Sequence, residues 1–492
     1  MNTPIRSLSV VALALVMAVM GSSTWIQVGA ADALADDPRN VRALYRDFSD
    51  PRGPIVVQGE EVVFSAPVED FLGVQRSYTD GELYAHVTGF YSLAVNSSGI
   101  EKTHDDVLSG NADSQFWSRI FDAFAGREPE GASVELTLHA EVQRAAATAL
   151  GDQAGAVVAL DPRTGEILAL ASTPSYDPAA LAVHDTGSAA AAYEALLTDA
   201  QQPLINRAIS GDTYAPGSLF KLVVAAAALE RGATPQSELA APRELPLPQS
   251  TKVLRNFNGE ECSPTGVMTL QEALAASCNT AFANLAMEMT WEPIERKAQE
   301  FGWGESLAIP LAVTESRLST DPDSATTAIA SIGQHDVRVT PLQVAMLISG
   351  IAYDGVVMKP HVVSAVRAPD AHLLEKTEPT VLDSPLDSSH AHALRDMMVY
   401  AVESGTGVGA QIEGVRVGGK TGTAENDSGQ GPHAWFAGFA PAEDPRVVVV
   451  VFIENGGDDG RDATGGSTAA PLAASIFEAA LSSHAASEGG DT

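Results

Sequence analysis

A chain of 492 residues with 45% hydrophobic content is long enough for two or three folded domains. Its 63 acidic residues outnumber 29 basic ones, which gives a formal net charge of −34. Such a surface repels nucleic acids and anionic lipid headgroups, so the composition excludes both as binding partners.

The first apolar segment indicates where the protein works. Residues 7–31 carry no charge, are rich in Val, Ala, Leu and Met, and exceed the roughly 20 residues that span a bilayer. Arg6 precedes this run and aspartates follow it, so the positive-inside tendency places the folded body outside the cytoplasm. Residues 1–31 are therefore predicted to be a cytoplasmic stub and a single-pass plasma-membrane anchor. A cleaved signal peptide is the alternative.

The rest of the chain is predicted to form two domains. Short β-prone runs and polar loops over residues 32–133 indicate a small extended domain, and 126–131 is typical of a linker. A second domain is expected over 134–481, followed by a disordered Ala/Ser/Gly-rich tail at 482–492. Its predicted elements are a strand at 136–138, a helix at 141–150, a hairpin of 155–160 and 166–171, helices at 219–230 and 270–287, a buried strand at 447–452 and a closing helix at 468–481.

The segment YAPGSLFK, residues 214–221, combines a turn with the start of a helix. Three positions separate Ser218 from Lys221, which puts both side chains on one helical face. A lysine desolvated among apolar neighbours can lose its proton and activate the serine, and a serine at a helix N-terminus lies beside free backbone N–H groups. Alone the pattern is weak, because an ordinary helix with an exposed lysine fits it equally well.

Two further motifs follow in the chain. Ser277-Cys278-Asn279 lies in the stretch predicted as helical, and Lys420-Thr421-Gly422-Thr423 precedes a strand-rich region. Residues 414–421 also match the phosphate-binding pattern G-x-x-x-x-G-K-T. Neither the buried strand before it nor the helix after it is predicted, so we exclude nucleotide binding. In this order, S-x-x-K, S-x-N and K-T-G are instead active-site elements of penicillin-binding proteins and class A β-lactamases.

The motifs and their surroundings together resemble one family. Residues from about 134 to 481 resemble the transpeptidase domain of class B penicillin-binding proteins, and the whole chain resembles the penicillin-binding protein A branch of actinobacteria. Further segments that carry the resemblance are 52–55, 155–178, 331–334, 340–343 and 433–441. The resemblance implies an α+β fold: an antiparallel sheet flanked by helices with a helical subdomain, a smaller extended N-terminal interaction or dimerisation-like domain, and the membrane anchor.

The resemblance implies a peptidoglycan D,D-transpeptidase that cross-links stem peptides, releases D-Ala and is covalently inhibited by penicillin and other β-lactam antibiotics. Ser218 would attack the penultimate D-Ala and form an acyl-enzyme, with Lys221 as the base. Ser277 would relay a proton to the leaving amine, and Lys420 would tune it. No cofactor and no metal is implied. A glycosyltransferase and other cell-wall synthesis or division proteins are the implied partners, and division is the expected process.

Substrate binding is assigned in the same way. Asn279 would bond the substrate amide, and Thr421, Gly422 and Thr423 would line the site of the terminal carboxylate. The oxyanion would lie between the backbone N–H groups of Ser218 and Thr423.

The two cysteines, Cys262 and Cys278, fit an exported protein. An isolated pair in an oxidising compartment often forms a disulfide, and no Cys/His cluster with metal-ligand spacing competes for them. Since Cys278 is the middle residue of the S-x-N triplet, a bridge would attach the loop before the helix to the motif. Two free buried thiols are the alternative, because bridging depends on geometry.

Three other functions stay open. A D,D-carboxypeptidase would use water in place of the acceptor amine, and a β-lactamase would hydrolyse its acyl-enzyme, with Glu315 as a candidate base. A non-catalytic scaffold would act through residues 32–133. Trp435 and Phe436 are expected in the core, and His433 is expected to be structural.

Overall fold

The computed structural model describes residues 2–30, 34, 45, 48–112, 115, 130–211, 213–425 and 430–488. Residues 126–129 of the predicted linker at 126–131 lie outside the described part of the chain. The chain divides into two units, residues 1–51 with 65–75 and residues 52–64 with 76–492.

The first unit contains the predicted anchor. Helix α1, Asn2–Thr24, continues as a π-helical turn at Trp25–Gly29. The span Ile5–Gly29 is long and apolar enough to cross a membrane, and none of it is buried. An exposed helix of this composition has no protein core to pack against, as expected for a segment that lipid surrounds.

The regular elements of the described residues are numbered along the chain. The α-helices after α1 are α2 Gly81–Thr88, α3 Gly99–Thr103, α4 Asp105–Leu108, α5 Ala140–Leu150, α6 Thr186–Thr198, α7 Lys221–Glu230, α8 Leu270–Ala275, α9 Asn279–Met289, α10 Trp291–Glu300, α11 Ser324–Ala330, α12 Pro341–Ala352, α13 Ser388–Ser404 and α14 Ala470–Glu488. The strands are β1 Ile55–Val57, β2 Glu60–Pro67, β3 Val74–Tyr78, β4 Tyr91–Ser92, β5 Asn96–Ser97, β6 Ser133–Leu136, β7 Gly155–Leu160, β8 Ile167–Thr173, β9 Glu238–Ala240, β10 Glu244–Pro246, β11 Val253–Arg255, β12 Val267–Thr269, β13 Val357–Met358, β14 Val363–Arg367, β15 Leu373–Lys376, β16 Val381–Asp383, β17 Gly418–Ala424, β18 His433–Ala440 and β19 Val447–Ile453.

One sheet joins distant parts of the sequence, in the strand order β15-β14-β6-β1-β2-β3. Strand β6 pairs in parallel with β1 and antiparallel with β14. The predicted domain boundary after residue 133 therefore falls inside β6, and strands from residues 363–376 complete the sheet. The sequence pattern of residues 32–133 could not reveal these partners, because pairing between distant segments leaves no local signal.

Two arginines and a glutamate form a buried ionic network beside this sheet. The Glu101 carboxylate accepts from Arg52 Nε at 3.2 Å and from Arg76 Nε at 2.8 Å, and all three side chains are buried. Arg52 also donates to Asp105 at 2.7 Å. Burial alone would lower the pKa of Arg52, but Glu101, Tyr91 and Asp105 raise it above its ordinary value.

A second sheet lies at the centre of the larger unit, in the antiparallel order β17-β18-β19-β7-β8. Every residue of β19 is buried, which confirms the prediction of a strand covered on both faces. Alternate residues face opposite sides. Val449 and Val451 belong to the core that contains α14 and α5, whereas Val448 and Val450 belong to the core that contains α12. Helices thus cover both faces, as the predicted fold requires.

The helical subdomain is built around α7, which is buried from Lys221 to Leu229. Helices α9, α10 and α13 pack against it. A helix apolar on all sides has to be enclosed, so this position follows from its sequence, KLVVAAAALE.

The closing helix is longer than predicted. It begins at Ala470, after a π-helical turn at Gly465–Ala469, and ends at Glu488. Residues 482–488 of the segment predicted as a disordered tail are thus assigned to this helix. Residues 489–492 lie outside the described part of the chain.

Candidate active site

A tight turn places Ser218 at the start of the buried helix. Gly217 has a φ of +54°, donates to Gly333 O at 3.0 Å and opens a 3₁₀ turn, Gly217–Phe220, that leads into α7. A Cβ at Gly217 would lie 2.7 Å from Thr423 O, so only glycine allows this approach to β17. The first turn is 3₁₀ rather than the predicted α-helix, and it brings Ser218 beside the K-T-G strand.

Lys221 lies within hydrogen-bonding distance of the serine. Its Nζ is 3.0 Å from Ser218 Oγ, 2.7 Å from Ser277 O and 2.8 Å from Asn279 Oδ1. The side chain is fully buried. Burial, with the nearby charge of Lys420 second, lowers the pKa of Lys221 well below its ordinary value. A neutral amine at this position can accept the serine proton.

Ser277 lies between two lysines. Its Oγ is 3.3 Å from Lys221 Nζ and 2.9 Å from Lys420 Nζ. Lys420 is also fully buried and donates to Thr421 O at 2.8 Å, and burial lowers its pKa to about 7. In the described residues neither lysine forms an ion pair with a carboxylate. The Ser277 hydroxyl thus contacts two amines whose pKa values are both lowered.

The structure interrupts the helix predicted at 270–287. Helix α8 ends at Ala275 and α9 begins at Asn279, so the prediction that the S-x-N triplet is helical is wrong for Ser277 and Cys278. Ser277 has a φ of +56°, and Cys278 is an extended N-cap. The left-handed turn directs both the hydroxyl and the carbonyl of Ser277 at Lys221.

Asn279 is held by two protein groups. Its Oδ1 accepts from Lys221, and its Nδ2 donates to Arg255 O at 3.2 Å. An Asn Nδ2 carries two N–H donors, so one remains for a further partner. The side chain is fixed at the edge of the lysine cluster.

Strand β17 supplies Lys420, Thr421, Gly422 and Thr423 from the edge of the central sheet. No helix begins at Lys420, which agrees with the exclusion of a phosphate-binding loop. Thr421 and Thr423 are two positions apart and share one face of the strand. A cleft of about 500 Å³ borders this strand, and Phe257, Ser277, Thr406, Thr421 and Thr423 are among its lining residues.

A disulfide attaches one wall of the cleft to the S-x-N motif. Cys262 and Cys278 are bonded, with a Cα–Cα distance of 5.9 Å. Asn256 adds two hydrogen bonds: its Oδ1 accepts from Thr280 N at 3.0 Å, and its Nδ2 donates to Glu260 O at 3.1 Å. Residues 256–262 are therefore held against the start of α9.

Three residues of the site escaped the sequence analysis: Asn256, Thr406 and Gly465. They contact Thr280, which follows the S-x-N motif, and the motif residues Thr421 and Thr423, but no pattern of spacing marks them. The Gly405-Thr406-Gly407 turn after α13 is the one local signal that could have drawn attention to Thr406.

The residues assigned to other roles lie elsewhere. Trp435 and Phe436 are fully buried in the core, and His433 Nδ1 accepts from Asn455 N at 3.1 Å, as a structural histidine does. Glu315 is exposed and does not line the cleft. Across the described residues, no group of three His, Cys, Asp or Glu side chains could hold a metal ion.

Comparisons with protein families match both parts of the chain. Residues 155–478 match the penicillin-binding protein transpeptidase domain, and residues 52–134 match the penicillin-binding protein A dimerisation domain.

Comparisons with individual proteins give the same result. The chain is 43% identical to the peptidoglycan D,D-transpeptidase PbpA of Mycolicibacterium smegmatis, over 98% of this chain and 99% of the relative. Identity to PbpA of Mycobacterium tuberculosis is 40% with the same coverage. The ceftriaxone acyl-enzyme complex of M. tuberculosis penicillin-binding protein A superposes with a TM-score of 0.86 at 40% identity, over 89% of this chain and all of that one. The penicillin G acyl-enzyme of that protein gives a TM-score of 0.84 at 40% identity, over 88% of this chain and all of that one.

Proposed function

The chain belongs to the penicillin-binding protein transpeptidases, and from this premise we propose which of its residues carry out the reaction. It is a peptidoglycan D,D-transpeptidase of cell-wall synthesis. The observation that carries the assignment of residues is the 3.0 Å contact between Ser218 and a buried lysine without a carboxylate partner among the described residues.

In the first half-reaction Ser218 Oγ attacks the carbonyl carbon of the penultimate D-Ala. Lys221 takes the hydroxyl proton, and its lowered pKa makes the unprotonated amine that accepts it more available. The peptide bond breaks, an ester to Ser218 forms, and the terminal D-Ala leaves as an amine. Ser277 passes a proton to that amine, supported by its contacts with both Lys221 and Lys420.

The developing oxyanion is stabilised by the backbone N–H groups of Ser218 and Thr423. The tight packing of Gly217 against Thr423 O supports the assignment of these two N–H groups to one site. The terminal carboxylate lies against Thr421, Gly422 and Thr423, and the substrate amide bonds to Asn279. An ionised carboxylate only accepts hydrogen bonds, so hydroxyl donors on one strand face suit it.

In the second half-reaction an amine from a neighbouring stem peptide attacks the ester carbonyl. The new amide bond is the cross-link, the ester bond to Ser218 breaks, and the proton that the amine loses returns to the Ser218 hydroxyl. A β-lactam reacts with Ser218 in the same way and leaves a long-lived acyl-enzyme. With water in place of the amine the protein would be a D,D-carboxypeptidase. Rapid turnover of a β-lactam would indicate a β-lactamase, against which the exposed position of Glu315, outside the cleft, argues.

The apolar N-terminal helix anchors the protein in the plasma membrane, with the catalytic domain on the extracytoplasmic side. The charge distribution around residues 7–31 supports this orientation. Residues 32–133 form an interaction module for a glycosyltransferase or other cell-wall proteins, and the process served is cell division. Residues 134–481 form the catalytic domain.

Labelling with fluorescent penicillin tests the assignment of Ser218. The wild-type protein should give a covalent band, and Ser218→Ala should give none, because the ester cannot form. A labelled Ser218→Ala variant, or an unlabelled wild type, would refute the assignment. Complementation tests the scaffold alternative: normal growth and septation with Ser218→Ala would show that catalysis is not the essential role.

A further inference from the structure

Each threonine of the Lys420-Thr421-Gly422-Thr423 motif has a polar partner outside the motif. Thr423 Oγ1 accepts from the backbone N–H of Gly465 at 3.2 Å. Because an N–H group only donates, the Thr423 hydroxyl keeps its own proton for another acceptor. Gly465 reaches this position because it lacks a side chain: a Cβ there would lie 2.2 Å from Trp435 O.

The partner of Thr421 is a hydroxyl group, whereas the partner of Thr423 is a backbone N–H. Thr421 Oγ1 lies 2.6 Å from Thr406 Oγ1, and either oxygen can be the donor. If Thr406 donates, the Thr421 proton is free for the cleft, as the Thr423 proton is. If Thr421 donates instead, its proton points away from the cleft. Thr421 is nearly buried, whereas Thr406 is exposed on the cleft wall.

The turn that carries Thr406 is fixed against the catalytic motifs. The backbone N–H of Thr406 donates at 3.1 Å to the carbonyl oxygen of Ala275, which lies two residues before Ser277. A Cβ at Gly405 would lie 2.5 Å from the same carbonyl oxygen, and Gly407 N donates to Ala401 O at 3.0 Å. Thr406 is therefore joined by its backbone to the S-x-N side of the cleft and by its hydroxyl to the K-T-G side.

We propose that Thr406 is a positioning residue for the terminal carboxylate of the donor peptide. Its hydroxyl donates to Thr421, so that Thr421 and Thr423 both present a proton to the carboxylate. An ionised carboxylate only accepts hydrogen bonds. A hydroxyl whose proton is free can therefore donate to it, and a hydroxyl whose proton is bonded elsewhere cannot. The inference rests on the proposed acyl-enzyme at Ser218, and it assigns no contact between Thr406 and the substrate.

Two substitutions separate positioning from simple structural support. Thr406→Val keeps the shape and removes the hydroxyl, whereas Thr406→Ser keeps the hydroxyl. The probes are benzylpenicillin, which carries a free carboxylate, and its methyl ester, in which the carboxylate is masked. Rates of acylation of the full-length protein in detergent are measured for both probes.

Thr406→Val should be acylated by benzylpenicillin about tenfold more slowly than wild type, the loss expected when a hydrogen bond to a charged group is weakened. Its rate with the methyl ester should not change, and Thr406→Ser should restore the benzylpenicillin rate. A wild-type rate with benzylpenicillin, or an equal loss with both probes, would overturn the proposal. If Thr406→Val does not fold, Thr406→Ala removes the hydroxyl without adding bulk, and the same comparison decides.

The Ser218→Ala variant keeps this test separate from that of the enzyme assignment. If Ser218→Ala is not labelled while Thr406→Val reacts as wild type does, the acyl-enzyme assignment stands and the role of Thr406 is refuted. If Ser218→Ala is still labelled, the acyl-enzyme assignment falls, and the role of Thr406 falls with it.

Discussion

Arg52 and Arg76 are one pair of buried cations, and Lys221 and Lys420 are another. In the part of the chain that the structure describes, the arginines have a buried carboxylate beside them and the two lysines have none. Glu101 compensates both arginines, and the pKa of Arg52 stays above its ordinary value. The lysines have hydroxyl, carbonyl and amide partners, and burial lowers the pKa of each.

The difference separates a structural cluster from a reactive one. A buried cation with a buried anion keeps its proton and fixes the backbone around it. A buried lysine without an anion holds its proton less tightly, so its pKa is lowered and its amine becomes available for proton transfer. The proposed catalytic cluster therefore depends as much on the absence, among the described residues, of a carboxylate paired with Lys221 or Lys420 as on the residues that are present.

Giving Lys221 a permanent positive charge should make it resemble the buried arginines and remove its function as a base. In Lys221→Arg the guanidinium cannot lose its proton, so acylation by fluorescent penicillin should slow by about 10³-fold, a typical contribution of a general base. The second-order labelling rate measures the effect. The exposed Lys252→Arg should label as wild type does. A near wild-type rate in Lys221→Arg would contradict the role of Lys221 as base.

Removing the anion from the arginine cluster should have the next largest effect. Glu101→Gln leaves Arg52 and Arg76 without the buried charge between them and should cost about 3–5 kcal/mol of unfolding free energy. Urea denaturation measures this cost. Glu61→Gln, at an exposed position on β2, should stay within about 0.5 kcal/mol of wild type. Folded Glu101→Gln should be labelled at the wild-type rate, and a slower rate would show that the two clusters are coupled.

Replacing the second lysine should stabilise the fold while it impairs catalysis. At pH 7, Lys420→Met should raise the unfolding free energy by about 2 kcal/mol, since a buried charge is exchanged for an apolar group. The folded pKa of about 7 lies below the unfolded 10.5, so wild type loses stability as pH falls between these values.

The gain from Lys420→Met should therefore shrink when denaturation is repeated at about pH 10. The exposed Lys359→Met serves as the control and should show no gain at either pH. A gain larger at high pH than at neutral pH would contradict the lowered pKa of Lys420.

The pH dependence of acylation should show the smallest effect. Lys420 has to keep its proton to support Ser277, so the acylation rate should fall as pH rises through about 7. Lys221 must be neutral, and because burial lowers its pKa, the rising limb should lie at lower pH than for an ordinary lysine. Penicillin labelling at constant ionic strength from about pH 5 to 9 measures both limbs. A rate that keeps rising above pH 7 would mean that Lys420 acts without its proton.

Much of the chemistry could be predicted from the sequence, because Ser218, Lys221 and the K-T-G motif are local patterns with fixed spacing. The buried strand β19 was predictable for the same reason, since a continuous β-branched run fits only a strand covered on both faces. Such features depend on neighbours in the chain.

The features that were missed depend on distant contacts or on backbone geometry. The left-handed conformation of Ser277 interrupts a segment whose composition favours a helix, and it is stabilised by Lys221, 56 positions earlier. Thr406 belongs to the site because it meets Thr421, 15 positions later and on another element. Neither contact leaves a periodic pattern in the sequence.

The six-stranded sheet has a consequence for the order in which the protein folds. Strand β6 pairs with β14, and Ser364 Oγ donates to Glu135 O across 229 positions of sequence. Strands β1 and β6 can pair early in synthesis, but their sheet stays incomplete until residue 376 has left the ribosome. Contacts of such sequence separation form slowly. The catalytic domain must therefore be largely synthesised before the N-terminal module reaches its final structure, so a truncated chain ending before β14 would expose the edge of β6.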